Sequence, residues 1–209
     1  MDPNPNEFGE AWVEMIKKFA GKHGGGIFWQ AGPKFTAQFL QSIRGAGIRE
    51  VVPVRIAEGA SAYQVSLRRT WTKEWPLRLR GSGVDHPMLI LDRDPKMNIK
   101  LWERMPGTYW TFRVEGAKPG AKVLLEHTNP AYNTVDGAMP LLVSHQYGPG
   151  RVLFLGFGDT WRWRRAGEEH FDRFWVQAVR ELASGRHMRG RSRGQIMTDR
   201  DRYGLGERV

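Results

Sequence analysis

Cysteine is absent from the sequence. Its absence excludes disulfide bonds, cysteine-ligated zinc sites, iron–sulfur clusters and thiol nucleophiles, although cysteine-free proteins occur in both reducing and oxidising compartments. The chain also lacks an apolar run of the roughly 18 to 20 residues that span a bilayer, and its first residues show no basic region followed by an apolar one. These residues therefore predict neither a membrane segment nor a targeting signal, and they leave the localisation unknown.

The composition is that of a folded protein with an excess of positive charge. Of 209 residues, 40% are hydrophobic, 11% aromatic and 26% charged, which suffices for one core and predicts one domain followed by a tail. The net charge is +10, and residues 186–209 contain seven arginines against three acidic residues, a net of +4. Nucleic-acid-binding proteins often carry such charge. No helix-turn-helix, zinc-finger or RNP pattern accompanies it, so a solvated basic linker is the favoured interpretation.

The N-terminal part of the sequence predicts a helix, a strand, a sharp turn and a second helix. Apolar residues recur at helical spacing from Trp12 to Ala20, and glycines at positions 21 and 24 end this helix. The segment Gly26–Gln30 predicts a short buried strand. Thr36 is expected to cap the second helix, which would carry Ile43 on its apolar side.

The remaining segments continue the alternation of strands and helices. REVVPVRI, WPLRLR and AKVLLEH predict strands, and the pair Asp94 and Pro95 predicts the start of a helix. PLLVSHQYGPGRVLFLGF predicts an antiparallel hairpin, and a helix is expected from Glu168 to Gly185. Together these elements predict an α/β fold, with helices on both faces of a sheet and the hairpin at its C-terminal side.

In sheets of this kind, ligands bind beyond the carboxyl ends of the strands. Two segments leave predicted strands in this way, QAGPKF after the first strand and GDTWRWRR after the hairpin. The functional residues are therefore sought in these two segments.

These segments also carry a resemblance to a known family. FAGKHGGGIFWQAGP resembles the helix-to-strand passage of class I glutamine amidotransferase-like domains, and YGPGRVLFLGFGD with the later FWVQAVRELA resembles the closing hairpin and helix of their trehalose-utilisation branch. The nearer likeness is to uncharacterised domains of large bacterial envelope proteins that also contain von Willebrand type A or immunoglobulin-like domains. The resemblance covers most of residues 8–185. It implies a flavodoxin-like sheet, an N-terminally shortened amidotransferase-like domain over residues 1–185, and a basic linker with the start of a β-sandwich over residues 186–209.

The residues that an amidotransferase needs are missing. Such an enzyme uses a cysteine thiolate at a strand exit, a histidine base and a carboxylate that orients the histidine. The resemblance places Gln30 or Ala31 at the position of the cysteine and Asp159 at that of the histidine. Ser144 and His145 cannot replace them, because neighbours on a strand point to opposite faces. Glutaminase activity is therefore not expected.

The segment GDTWRWRR is the best remaining candidate for a binding site. Its alternating tryptophans and arginines can stack on sugars or hold an anionic polymer, and Gln30 lies at the neighbouring strand exit. The candidate binding residues are Gln30, Trp161, Arg162, Trp163 and Arg164. The slightly favoured alternative is that both tryptophans pack inward, while the arginines pair with acidic neighbours such as Asp159.

No cofactor or metal is expected. The six histidines lack the spacing of a zinc site. In a phosphate-binding loop the glycines follow a strand, whereas the glycines of GGGIFWQAGPK lead into the first predicted strand. His86 and His170 remain candidates, with Asp159, for an acid or base.

Three functions follow, in order of preference. The first is a catalytically inactive amidotransferase-like module that contacts other domains of its parent protein or protein partners. The second is a carbohydrate-processing or carbohydrate-binding protein of the trehalose-utilisation type, using Asp159, His86 or His170. The third, which is disfavoured, is nucleic-acid binding through Arg162, Arg164, Arg165 and the basic tail.

Overall fold

A computed structural model describes residue 2, residue 4, residues 7–56 and residues 72–190, with side chains described as far as residue 184. The helices and strands are α1 (Glu10–Gly21), β1 (Gly26–Gln30), α2 (Thr36–Gln41), α3 (Ala46–Val51), β2 (Val54–Arg55), β3 (Leu77–Leu79), α4 (Gly81–Val84), α5 (Pro95–Arg104), β4 (Gly116–Ala117), β5 (Lys122–His127), β6 (Pro140–Tyr147), β7 (Gly150–Leu155) and α6 (Glu168–Gly190). Three short 3₁₀ helices span Pro87–Leu89, Pro130–Tyr132 and Asp159–Ala166.

The main sheet is mixed and has the strand order β1-β7-β6-β5-β3. Strand β1 is parallel to β7, and the other neighbouring pairs are antiparallel, including β6 and β7, which pair from Leu142 opposite Leu155 to Tyr147 opposite Gly150. A second sheet contains only β2 and β4. The predicted α/β class is confirmed. Flavodoxin-like sheets are built from parallel strands, and in the described part of the chain only the β1–β7 pair is parallel, so the sheet alone does not establish that finer assignment.

Helices cover β1 from both sides. Phe28 and Trp29 are neighbours on the strand and so face opposite sides of the sheet. The Phe28 ring lies 5.0 Å from that of Trp175 in α6, whereas Trp29 stacks at 5.8 Å on Phe39 in α2. The short apolar strand predicted at Gly26–Gln30 is therefore covered on both faces.

Several predicted elements appear with the expected residues. Helix α1, strand β1, strand β3 and strand β5 fall within the segments that predicted them. The side chain of Asp94 accepts a hydrogen bond from the Lys96 amide and caps α5, whose Pro95 is the first helical residue. This local signal suffices because a capping carboxylate satisfies a backbone amide that the helix itself leaves unpaired.

Other expectations were wrong. The segment REVVPVRI is not a strand over its length: Arg49, Glu50 and Val51 belong to α3, and only Val54–Arg55 forms β2. Ile48 and Val51 are both buried at helical spacing, which shows that packing decides the conformation of this β-branched run. The last helix continues past Gly185 to Gly190.

The second helix also differs from its prediction. Ile43 lies outside α2 and is 93% exposed, and Thr36 is the first helical residue rather than the cap. The predicted β-sandwich strand in the tail lies outside the described residues. The described helices include none that is both long enough and apolar enough to cross a membrane.

Candidate functional site

The loop after β1 is held in place by backbone and side-chain hydrogen bonds. The amide of Ala31 donates to the carbonyl of Leu155 at 2.8 Å, which extends the parallel pairing with β7 by one residue. The amide of Gly32 donates to the Thr36 hydroxyl at 2.9 Å, so the chain turns back on itself within five residues. Ala31 and Thr36 are buried. Ala31, one of the two positions where the resemblance implies a nucleophile, is therefore a buried methyl group, and the other is Gln30.

The carboxylate of Asp2 binds this same loop. It accepts hydrogen bonds from the backbone amides of Lys34, Phe35 and Thr36 at 2.6–3.0 Å, and from the Thr36 hydroxyl at 2.7 Å. Asp2 therefore provides the cap that the sequence assigned to Thr36. Sequence reasoning missed this role because a capping residue more than 30 positions away leaves no local pattern.

The loop after β7 lies beside the loop after β1. The Gln30 side-chain amide donates to the Thr160 hydroxyl at 3.3 Å, which joins the two strand exits. Asp159, which precedes Thr160, accepts a hydrogen bond from the Tyr109 amide at 3.2 Å, and its carboxylate lies 3.5 Å from the Thr108 hydroxyl. Two of the predicted site residues, Gln30 and Asp159, are thus brought to one edge of the sheet, and both are engaged in hydrogen bonds within the protein.

The segment that contains both tryptophans forms the 3₁₀ helix Asp159–Ala166. Residues three apart share a face of such a helix. Thr160 and Trp163 accordingly point inward and are buried, with the Trp163 ring 4.8 Å from Phe174 and its indole nitrogen donating to the Pro106 carbonyl at 3.2 Å. The expectation that the tryptophans pack inward therefore holds for Trp163.

Trp161 lies on an outer face and is 54% exposed. The guanidinium carbon of Arg162 lies 4.9 Å from the centre of the Trp161 ring and 4.4 Å from that of Tyr109. We call these three residues the Arg162 stack. Tyr109 was not predicted as a site residue, because it lies some 50 positions away in sequence and no local motif marks it.

Arg164 agrees with the prediction that the arginines pair with acidic neighbours. Its guanidinium lies 4.3 Å from the centre of the Phe171 ring and 4.0 Å from a carboxylate oxygen of Glu168. Both contacts are to the first residues of α6, so Arg164 connects the 3₁₀ helix to the helix that follows it.

The two candidate histidines lie apart from each other. His86 Nε2 is 4.0 Å from Glu181, whose carboxylate also binds Arg151 Nε at 3.2 Å. Arg151 is near the start of β7, whereas Asp159 follows its end, so His86 lies at the opposite end of the strand from the site. Burial lowers the pKa of His86, more than the Glu181 carboxylate raises it.

His170 lies in the first turn of α6. Its Nε2 is 3.5 Å from Glu169, and its buried Nδ1 has no hydrogen-bond partner in the part of the chain that the structure describes. The described bonds of Asp159 involve neither His86 nor His170. Residues 7–56 and 72–184 also bring together no group of three acidic or histidine side chains suited to a metal ion.

The sequence matches no known family model and no curated protein. Two solved structures are similar in fold. One is the cytoplasmic protein STM3548 from Salmonella typhimurium, with a TM-score of 0.55, 18% identity, and coverage of 82% of this chain and 60% of that protein. The other is the cytoplasmic protein STM1381 from Salmonella typhimurium LT2, with a TM-score of 0.51, 17% identity, and coverage of 81% and 60%. The chain spans about 60% of the length of these structures and shares their fold.

Proposed function

We propose that this chain is a catalytically inactive, glutamine amidotransferase-like domain that serves as a structural or interaction module of a larger bacterial protein. One observation carries the proposal: the two strand exits bind each other instead of presenting a nucleophile and a base. Gln30 is bonded to Thr160, Ala31 is buried, and Asp159 accepts the Tyr109 amide. The flavodoxin-like assignment belongs to the same proposal and is supported by the parallel pairing of β1 with β7.

The Thr36 hydroxyl, in the loop after the first strand exit, is a poor substitute for a thiolate. Thr36 is buried, its hydroxyl donates to Asp2, and the same oxygen accepts the Gly32 amide. A nucleophile needs an adjacent base and access to the substrate. The carboxylate of Asp2, which accepts the Thr36 hydroxyl, also accepts backbone amides of the loop. Replacement of Asp2 would therefore disturb the loop that positions Thr36.

The proposal is tested by the release of ammonia from glutamine. We expect the purified protein to release no more ammonia than a buffer blank, and Asp159→Asn to leave this result unchanged. Ammonia release above the blank that is lost in Asp159→Asn, in a variant with an unaltered circular dichroism spectrum, would overturn the assignment as inactive.

A carbohydrate-binding role is the second candidate, because a half-exposed tryptophan lies beside a guanidinium at the carboxyl end of the parallel strand pair. Exposed aromatic rings with a neighbouring polar group are suited to stacking on sugar rings. A thermal-shift panel of neutral and acidic sugars tests this candidate. If no sugar raises the melting temperature, the candidate fails and the inactive module is unaffected.

A further inference from the structure

We propose that the Arg162 stack is a binding site for an acidic saccharide, in which Arg162 pairs with the carboxylate of a uronic acid unit while Trp161 stacks on its pyranose ring. This inference rests on the proposed non-catalytic module and names the ligand class that its exposed surface would take. It requires no group beyond the side chains of the described chain.

The stack holds the guanidinium in a fixed orientation. The Arg162 guanidinium carbon contacts two aromatic rings, at 4.4 Å from the centre of Tyr109 and 4.9 Å from that of Trp161. Its Nε is buried and has no hydrogen-bond partner among the described residues, whereas the terminal nitrogens are not among the buried unpaired atoms. A guanidinium fixed by stacking loses little further freedom when it binds a planar carboxylate through two parallel hydrogen bonds.

No described carboxylate pairs with the Arg162 guanidinium, although the Asp159 carboxylate lies nearby on the Tyr109 amide. Among the described residues, Arg162 has no carboxylate within ion-pair distance, because Asp159 is turned toward the Tyr109 amide and Glu168 lies beside Arg164. Arg165 follows on the same outer face, three residues along the 3₁₀ helix. Two cations on one face, neither of them in a described ion pair, favour an anionic ligand.

The aromatic part of the site favours a sugar over a nucleic-acid strand. Proteins that bind single strands use several aromatic rings on which successive bases stack. In this stack Arg162 lies over one face of each ring, and a ligand would stack on the other face of Trp161, the ring that is 54% exposed. The exposed indole of Trp161 beside the guanidinium of Arg162 therefore suits one sugar ring that carries one carboxylate.

Binding of tetragalacturonate, measured by calorimetry at low salt, tests this inference. We expect saturable binding by the wild-type protein and at least about tenfold weaker binding by two variants. Arg162→Gln loses a charge-assisted contact, and Trp161→Ala loses the ring that stacks on the sugar. The methyl-esterified tetramer, which has the same rings without the charge, is expected to bind at least about tenfold more weakly than the acid.

Two matched controls separate the site from general effects. Arg104→Gln removes the same charge from the exposed end of α5, and Trp12→Ala removes a tryptophan that is 53% exposed on α1. Both are expected to bind within about twofold of wild type. Circular dichroism and melting curves of each variant exclude unfolding as the cause of lost binding.

Three results would overturn the inference: no binding by wild type, equal binding of the methyl ester, or equal losses in Arg104→Gln and Arg162→Gln. Tight binding of an oligodeoxythymidine that depends on Trp161 would assign the site to nucleic acid and would also overturn it. None of these results changes the ammonia-release test, so the proposed inactive module is judged separately.

Discussion

At the scale of single residues, the fold keeps His127 uncharged. Its ring is buried, stacks at 4.7 Å on Tyr132, and accepts the Asn129 amide at Nδ1, so the ring proton lies on Nε2. That Nε2 has no hydrogen-bond partner within the described chain. Burial lowers the pKa of His127 from its ordinary value of 6.5 to about 4.

This pKa predicts a loss of stability on acidification. Between pH 6.5 and about 4 the unfolded chain binds a proton at His127 that the folded protein does not, so the free energy of unfolding falls as the pH is lowered. At pH 5 the loss amounts to about 2 kcal/mol. We expect His127→Gln to reduce by about this amount the difference in unfolding free energy between pH 7.5 and pH 5, as measured by urea titration.

The matched control is the same replacement at an exposed histidine, His23→Gln, measured at the same two pH values. Burial also lowers the pKa of His86 and His145, but both remain in wild type and variant, so their contributions cancel in the comparison. Equal pH dependence in wild type and His127→Gln would contradict the prediction.

The two tryptophans of the 3₁₀ helix show how little a local pattern fixes at this scale. In the segment WRWRR, alternation places Trp161 and Trp163 on the same side if the chain is extended. The 3₁₀ helix instead separates them, with Trp163 buried and Trp161 exposed. The sequence could identify the segment, but it could not show which tryptophan remained available to a ligand.

At the scale of elements, the turn between β6 and β7 depends on a glycine. Gly148 has a φ of +57°, and a Cβ atom there would lie 2.5 Å from the carbonyl oxygen of Gly21 at the end of α1. Both the backbone conformation and the close approach exclude larger residues. The hairpin turn therefore also fixes how α1 meets the edge of the sheet.

Replacement of Gly148 should destabilise the protein more than replacement of a glycine that has only a positive φ. Gly120 also has a positive φ, of +77°, but a Cβ atom there would meet nothing within 4 Å. We expect Gly120→Ala to lower the free energy of unfolding by about 1 kcal/mol, and Gly148→Ala to lower it by about 2–4 kcal/mol. Denaturant titration measures both, and losses of equal size would show that the contact with α1 is not restrictive.

The elements that the sequence identified are those with local causes. The start of α5 depends on the Asp94 carboxylate and on Pro95, which act within one helical turn. The identity of α3 depends instead on what covers Ile48 and Val51, and the cap of α2 comes from Asp2. The residues that cover α3 lie outside α3, and Asp2 lies outside α2, so neither helix is decided by its own segment alone.

At the scale of the whole molecule, an aromatic cluster connects the 3₁₀ helix to two other helices. The Trp163 ring lies 5.5 Å from Trp102 in α5 and 4.8 Å from Phe174 in α6, both edge to face. These rings are fully buried. The cluster thus connects the β7 exit loop, which carries the Arg162 stack, to the main core.

Trp163→Ala is therefore expected to lower the free energy of unfolding by about 3–5 kcal/mol, because it leaves a large cavity and removes the indole hydrogen bond to Pro106. Trp161→Ala, two residues away and exposed, should lower it by no more than about 1 kcal/mol. Thermal and denaturant unfolding measure the two losses. Similar losses for both variants would contradict the assigned roles of the two tryptophans.

The sequence by itself determined the α/β class, the short apolar strand Gly26–Gln30, the capped helix α5 and the absence of any thiol. Each of these follows from periodicity, capping or composition, which act between near neighbours. Only the tertiary structure decided the order of the strands, the capture of the first exit loop by Asp2, and the meeting of Tyr109 with Arg162. These features join residues tens of positions apart, and their contacts form only when the chain packs around one core, so no local pattern encodes them.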